Sequence, residues 1–249
     1  MLSKSQISLI KSLQLKKFRK IHNLFIVEGI KSITEFFNED YTFHSIFYLP
    51  EMSPKVVNFL QIIKGNEITS DELKKISTLT NPQGVLAVFK ISELKLENTD
   101  LKNKFTLALD FIQDPGNLGT IIRTADWFGM NTLICSNDTA DAYNPKVIQA
   151  SMGSLARMKI IYCDLDEWLS QCNLKIYGAV LNGKSIYEHT FEGEGIVILG
   201  NEGNGIRENI LPYITEKITI PRFGKAESLN VAISSAIICS ELNRKIKKT

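Results

Sequence analysis

The chain has 249 residues, of which 44% are hydrophobic and 22% are charged, and its formal net charge is +2. This ordinary globular composition excludes disordered, collagen-like and coiled-coil proteins. No apolar run approaches the roughly 18 residues that span a bilayer, and residues 1–30 lack the apolar stretch of a secretory signal, so we expect a cytoplasmic protein that binds no membrane. The four cysteines and three histidines lack metal-ligand spacing, which predicts that there is no metal site.

Residues 1–90 alternate helical and strand patterns, which is typical of a small α/β domain. Residues 1–27 carry six lysines and arginines and no acid, which suits a polyanionic partner, although a solvated helix face explains the charges equally well. We predict helices over residues 3–22, 29–38, 53–64 and 70–78, the last one N-capped by Ser70, and strands over residues 24–28, 43–49 and 85–90.

Residues 91–104 are dense in charge and predict a linker to a second domain over residues 105–249. Short runs in that domain are apolar at successive positions, which indicates strands covered on both faces and hence a mainly parallel sheet flanked by helices. These runs lie at residues 105–110, 132–136, 157–162, 174–181, 195–200 and 217–220. Predicted helices include one over 117–128 capped by Asn117, one opened by Asn144 and Pro145, and one from Ser228 to about Lys247.

Three loops follow predicted strands and therefore lie at the carboxyl edge of the predicted sheet, where open α/β sheets bind their ligands. The first, residues 113–123, ends in Arg123, which reaches either a bound anion or an ordinary surface salt bridge. The second, residues 199–206, has glycines that let a ligand approach the backbone and one carboxylate, Glu202, although a plain turn explains it too. The third, residues 220–233, has Ser228 and Asn230 at a helix start, where capping is the alternative role.

Residues 178–185 (GAVLNGKS) satisfy the phosphate-loop pattern G-x-x-x-x-G-K-S. In a working phosphate loop a helix follows the serine, but here Ala179 to Leu181 continue an apolar strand and a short glycine-broken stretch follows Ser185. We therefore interpret the match as chance.

Taken together, the three loops resemble the SpoU family of the SPOUT methyltransferase superfamily. Residues 117–123 (NLGTIIR) match the first family motif, N-x-G-x-x-x-R, residues 200–203 (GNEG) match the second, and residues 220–232 (IPRFGKAESLNVA) match the third. The resemblance covers residues 105–249. Residues 1–90, especially LKKFRKIHNLFIVEG, resemble the ribosomal-protein-like RNA-binding domain that precedes the catalytic domain in many family members.

The resemblance implies methyl transfer from S-adenosylmethionine to a ribose 2′-hydroxyl of RNA, with ribosomal RNA favoured over transfer RNA because of the added N-terminal domain. It also implies a trefoil knot in the C-terminal domain and a homodimer. Two alternatives stay open: an RNA-binding protein with this fold but no activity, and a nucleotide hydrolase that uses residues 178–185.

By position, the resemblance also implies which residues form the site. The expected cofactor-binding residues are Ala179, Leu181, Gly183, Leu199, Gly200, Asn201, Glu202, Gly203, Ile220, Ser228, Leu229 and Asn230. The expected catalytic residues are Arg123, Asn117, Glu202, Ser228 and Asn230. Because a guanidinium does not deprotonate in proteins, we expect Arg123 to act as a cation on phosphate and developing alkoxide, with Glu202 or water accepting the proton. The expected RNA-binding residues are Lys16, Lys17, Arg19, Lys20 and Arg123.

Overall fold

A computed structural model describes residues 2–92 and 100–246 of the chain. These residues form two compact units, one made of residues 2–92 with 141–157 and the other of residues 100–140 with 158–246. Most of the predicted linker, residues 93–99, and the predicted helix end at Lys247 lie outside the described residues.

The elements follow one another in this order: α1 (Lys4–Ser12), α2 (Lys16–His22), β1 (Leu24–Glu28), α3 (Ile30–Asn38), β2 (Phe43–Tyr48), α4 (Ser53–Leu60), β3 (Gly65–Glu67), α5 (Ser70–Ile76), β4 (Val85–Lys90), β5 (Phe105–Leu109), α6 (Pro115–Trp127), β6 (Thr132–Ser136), α7 (Pro145–Ser151), β7 (Lys159–Cys163), α8 (Leu165–Ser170), β8 (Ile176–Ser185), β9 (Gly195–Leu199), β10 (Glu216–Thr219) and α9 (Val231–Ile246). Short 3-10 turns at Pro50–Met52, Ser154–Arg157 and Leu211–Tyr213 complete the described elements.

The first unit is built on a mixed sheet with the strand order β1–β4–β2–β3. Both β1 and β2 run antiparallel to β4, while β3 runs parallel to β2. Strand β1 is buried on both faces: Phe25 packs against Phe36 and Phe89 on one face, and Ile26 belongs to the apolar core with Ile10 on the other. This explains why its sequence, LFIVE, has no polar alternation.

Residues 141–157, which belong to the predicted C-terminal domain, group by their contacts with the first unit. The ring of Tyr143 lies 4.5 Å from that of Phe25, and Asp141 accepts two hydrogen bonds from Arg19, at 2.9 and 2.6 Å. These contacts explain the grouping, because Tyr143 covers the aromatic face of β1 and Asp141 neutralises the buried Arg19.

Three predicted helix starts differ from the structure because a neighbouring residue is the cap. Thr69, not Ser70, caps α5 and forms a capping box with Glu72. Asp114, not Asn117, caps α6, since its Oδ1 accepts the Asn117 N–H at 2.8 Å. Helix α9 begins at Val231 and not at Ser228, and Asn230 directly before it accepts the Ala232 N–H as the cap. The predicted helix over residues 3–22 is two helices, α1 and α2.

The second unit is built on a sheet with the strand order β10–β8–β9–β5–β6–β7, in which every neighbouring pair is parallel. This confirms the predicted parallel sheet flanked by helices. Strands β6 and β7 lie on one side of β5 in the sheet, and β9 lies on its other side. The strand order therefore reverses between β5 and β9, and the loops after these two strands begin at this topological switch point. Helices α6 and α9 pack together, and Leu165 and Leu169 of α8 join the apolar core.

Within the described ranges, no helix is both long and apolar enough to cross a membrane. Over the same ranges no three His, Cys, Asp or Glu side chains come together as a metal site would require.

Candidate active site

Residues 179–182 of β8, the loops after β9 and β10, and the first half of α9 line a cavity of about 780 Å³ in the second unit. This volume lies within the range of small-molecule and cofactor sites, about 300–1,000 Å³. Ten of the residues predicted to bind cofactor lie on its wall: Ala179, Leu181, Leu199, Gly200, Asn201, Glu202, Gly203, Ile220, Ser228 and Leu229. The second and third motif loops therefore do meet in one place.

The loop after β9 presents its backbone to the cavity because it closes on itself. The backbones of Asn201 and Gly205 exchange two hydrogen bonds of 3.0 and 2.9 Å, and Asn201 Oδ1 accepts the Gly203 N–H at 2.9 Å. A Cβ atom at Gly200 would lie 2.2 Å from the carbonyl carbon of Gly205. Only glycine fits there, because the backbone of the turn approaches itself so closely.

Gly183 is a predicted cofactor contact that the structure does not place on the cavity wall. A Cβ atom there would lie 2.5 Å from the Ile218 carbonyl carbon, so the absence of a side chain serves the close approach of β8 to β10. The surrounding residues 176–185 form one continuous strand. This confirms that the GKS match is part of a strand and not a phosphate loop.

Asn117, Glu202 and Asn230 form a hydrogen-bonded chain beside the cavity. Asn117 Nδ2 donates to Glu202 Oε1 at 2.5 Å, and Asn230 Nδ2 donates to Asn117 Oδ1 at 2.9 Å. Asn230 Oδ1 also accepts the Ala232 N–H at 2.9 Å, so this residue caps α9 as well. Asn230 itself is absent from the cavity wall, and its predicted direct contact with cofactor is replaced by a contact with Asn117.

A second set of contacts holds the loop after β5 against the loop after β9. The buried carboxylate of Asp110 accepts from Arg207 Nε at 2.7 Å and from its backbone N–H at 2.8 Å, and Arg207 also pairs with Asp138. Asn201 Nδ2 donates to the carbonyl of Phe111 at 2.9 Å. These contacts fix the relative position of Asn117, in the first turn of α6, and Glu202, in the loop after β9.

Arg123 lies on the exposed side of α6 and is not on the cavity wall. Thr120 and Trp127 share its exposed stripe, and Trp127 is 84% exposed. The structure therefore does not bring Arg123 to the cavity of its own chain, and its catalytic role stays a prediction.

Of the four predicted RNA contacts in α2, the lysines Lys16, Lys17 and Lys20 are exposed, whereas Arg19 is 2% exposed. Arg19 donates to Asp141 and also to the carbonyls of Leu13 and Gln14, at 2.8 and 2.9 Å. A buried guanidinium with these partners stabilises the fold and does not reach RNA, so this prediction is wrong for Arg19.

Several cavity residues were missed by the sequence reasoning. Pro221 to Gly224 line the cavity as part of the third motif loop. Because they directly follow the predicted contact Ile220, the sequence could have indicated them. Val231, Ser234 and Ile238 line the cavity from α9. Their spacing of three, four and seven residues places them on one helix face, so periodicity would have indicated them.

Comparison with known proteins identifies the family to which this chain belongs. An S-adenosylmethionine-bound ribosomal RNA methyltransferase from Sinorhizobium meliloti superposes with a TM-score of 0.88, at 26% identity, over 98% of this chain and 97% of that chain. Residues 104–240 match the SpoU rRNA Methylase family, and residues 4–87 match the MRM3-like substrate binding domain. The chain belongs to the SpoU family of RNA methyltransferases.

Two relatives that are named as 23S rRNA methyltransferases are similar to most of this chain. The 23S rRNA (guanosine(2553)-2′-O)-methyltransferase RlmP of Bacillus subtilis is 30% identical over 237 residues, which are 93% of both proteins. The 23S rRNA (guanosine-2′-O-)-methyltransferase RlmB of Neisseria meningitidis is 30% identical over 70% of this chain and 74% of that protein.

Proposed function

We propose that this protein transfers a methyl group from S-adenosylmethionine to a ribose 2′-hydroxyl of ribosomal RNA. The observation that carries the proposal is the meeting of the second and third motif loops at one cavity, with the Asn117–Glu202 pair beside it. Ribosomal RNA is favoured over transfer RNA because RlmP and RlmB, which resemble this chain over both units, are named for 23S rRNA. The cytoplasmic location expected from the sequence belongs to the same proposal, since the reaction needs access to that RNA.

The cavity fits the cofactor in size and chemistry. Gly200 lets the turn after β9 close tightly beside the cavity, and the apolar side chains of Leu181 and Leu229 offer a surface for an adenine ring. Residues Leu199–Gly203, Ile220 and Ser228 would hold the polar parts, largely through backbone groups. When bound, S-adenosylmethionine supplies an electrophilic methyl group on a positively charged sulfur.

The chain's own residues would then prepare the hydroxyl. A ribose hydroxyl is a weak nucleophile until its proton leaves, so a base must stand within hydrogen-bond reach. Glu202 is held by Asn117 through Oε1, and its other oxygen has no hydrogen bond to any described residue. That oxygen can accept the proton. Asn230 fixes the amide of Asn117, so the carboxylate keeps one orientation during the reaction.

The homodimer is a further part of the proposal. Trp127 on α6 is 84% exposed, and Leu229 and Ile233 around the start of α9 are 48% and 52% exposed. Large apolar side chains on two packed helices form a surface that a second copy would cover. We infer the trefoil knot from family membership alone. Sedimentation of the purified protein tests the dimer, and a monomer at micromolar concentration would contradict it.

The proposed reaction is tested by methyl transfer from labelled S-adenosylmethionine to purified ribosomal RNA and transfer RNA, followed by mapping of the modified ribose. We expect label in ribosomal RNA and loss of that label in Glu202→Gln. Label confined to transfer RNA would show that ribosomal RNA is not the substrate. Binding of ribosomal RNA without any methyl incorporation, on naked RNA and on ribosomal subunits alike, would instead favour an inactive RNA-binding protein.

A further inference from the structure

A second cavity, of about 430 Å³, lies wholly within the first unit. Its wall is formed by the end of β1, the first turn of α3, Met52 and Lys55, the segment that contains Thr78, Leu79 and Gln83, and α7 with Met152. We call it the β1–α7 cleft. None of the residues predicted to bind RNA lies on its wall.

The charge of the cleft favours an anionic partner. Lys31 and Lys55 stand on its wall, are exposed, and form no ion pair with any described residue. Glu28, also on the wall, is already engaged: it accepts from Ser77 Oγ at 2.5 Å and from the Thr78 N–H at 2.7 Å. A carboxylate with these donors is compensated within the protein, whereas the two ammonium groups are available to phosphates.

The remaining wall combines apolar surface with amide groups. Ile30, Met52, Leu79 and Met152 supply the apolar part, and Gln83 and Gln149 supply side chains that both donate and accept hydrogen bonds. The Gln83 side chain lies directly over Gly29, where a Cβ atom would be 2.0 Å from its Oε1. Glycine at this position is thus what allows Gln83 to lie there.

An unpaired RNA base has the matching chemistry. It has flat apolar faces, an edge of donors and acceptors, and a charged phosphate on either side, and single-stranded bases of this kind are the usual targets of specific RNA recognition. We propose that the β1–α7 cleft binds one unpaired nucleotide of the substrate RNA, with the base among the apolar residues and amides and the adjoining phosphates on Lys31 and Lys55. This inference rests on the proposed function, because it takes the substrate to be RNA.

The first test is RNA affinity as a function of salt, measured by fluorescence anisotropy with a fragment of ribosomal RNA that the wild type methylates. For Lys31→Ala/Lys55→Ala we expect about tenfold weaker binding and a salt slope smaller by about 1.4, since each phosphate contact on a single strand contributes about 0.7. The matched control is Lys64→Ala/Lys75→Ala, which removes two exposed lysines that lie outside both the cleft and the basic segment of residues 1–27, and it should bind as the wild type does. Equal affinities and slopes for the cleft variant and the wild type would overturn the inference.

The second test asks whether the cleft reads a base. We expect Gln83→Ala/Gln149→Ala to raise KM for RNA severalfold while leaving kcat and S-adenosylmethionine affinity unchanged, and we expect 4-thiouridine in the RNA to cross-link to residues 149–152. An unchanged KM, together with no cross-links to residues 149–152, would show that the cleft does not bind a nucleotide of the RNA. The proposed function would still stand in that case, because the wild type methylates the RNA. If the wild type methylates no RNA, the proposed function fails, and anisotropy with a ribosomal RNA fragment that the wild type binds still tests the cleft.

Discussion

The larger cavity and the β1–α7 cleft are built in different ways. The walls of the larger one are mostly loops that directly follow parallel strands, and its shape depends on backbone turns such as the one at Gly200. The walls of the β1–α7 cleft are side chains from segments far apart in the chain, and α7 belongs to a stretch that the Arg19–Asp141 pair ties to the first unit. Substitutions therefore act differently: in the larger cavity they alter ligand binding and turnover directly, while around the cleft they act through stability and substrate affinity.

The largest expected effect concerns Arg123, which belongs to the first motif but lies off the cavity wall. We expect Arg123→Ala to lower turnover by about a thousandfold, because a cation that stabilises developing negative charge contributes on that scale. Cofactor affinity should be nearly unchanged, since the side chain is exposed and does not line the cavity. A methylation assay beside isothermal titration checks both, and a large loss of cofactor binding would contradict the prediction.

The position of Arg123 also raises the question of which copy it serves. If it acts in the cavity of a partner subunit, a mixture of Arg123→Ala and Gly200→Ala proteins should regain activity that neither has alone. Each mixed dimer then contains one cavity with an intact turn and an intact arginine facing it. No recovery after dimers have exchanged subunits would show that α6 must move to bring Arg123 to its own cavity.

The next largest effect falls on the first unit. Replacing Arg19 by methionine leaves Asp141 without its partner and removes the donor for two backbone carbonyls. Breaking a buried ion pair on one side costs about 3–5 kcal/mol, so we expect a loss of this size in the free energy of unfolding in urea. Lys20→Met, one residue later and exposed, is the control and should change little. If both variants unfold alike, the pair does not hold residues 141–157 in place.

Gly200→Ala tests the backbone-built cavity. The added methyl would meet the backbone of Gly205 at 2.2 Å, so the turn must open, and overpacking of this kind costs about 1–3 kcal/mol. We expect cofactor affinity to fall by about tenfold to a hundredfold. Gly224→Ala is the control on the same cavity, because nothing lies within 4 Å of its Cβ position. Equal cofactor affinity in the two variants would mean that the turn does not shape the binding site.

An effect of similar size, on turnover instead of cofactor affinity, is expected for Asn117→Ala, which removes the donor to Glu202. A hydrogen bond to a charged group contributes about 1.5–3 kcal/mol, so kcat should fall by about tenfold to a hundredfold while KM for both substrates changes little. Asn117→Asp sharpens the test, since a second carboxylate at this position repels Glu202 and should be more harmful than alanine. A rise in KM with unchanged kcat would show that Asn117 contributes to binding instead.

The sequence predicts the strands well where an apolar run is bounded by polar or turn residues. The runs at 24–28, 85–90 and 132–136 match β1, β4 and β6 at both ends. Strand β3 was missed because Gly-Asn-Glu carries no apolar signal, and it pairs through its backbone with β2. Caps were misplaced by one to three residues, as at Thr69 and Asp114, because several polar residues in a row can each cap a helix.

The site was predictable to the extent that it follows local motifs. Ten expected cofactor residues share one wall because they lie on, or in the loops directly after, the strands β8, β9 and β10, which are adjacent in the sheet. Contacts between distant residues could not be predicted: Asn117 and Glu202 are 85 positions apart and meet because β5 and β9 pair. The burial of Arg19 depends on an aspartate 122 positions away, so the basic pattern of residues 16–20 could not separate it from its exposed neighbours.

The smallest expected effect is a pH dependence in the first unit. The N–H groups of Thr69 and Leu2 donate to Glu72 at 3.0 and 2.6 Å, and these backbone hydrogen bonds hold the pKa of its carboxyl below the ordinary value. A lowered pKa in the folded state stabilises the protein above the unfolded pKa, and this contribution is lost as the pH falls through the folded pKa. Glu72→Gln should therefore be less stable than the wild type at pH 7, and the difference should shrink below about pH 4. Glu67→Gln, an exposed carboxylate nearby in sequence, should show no such convergence in urea unfolding across the same pH range.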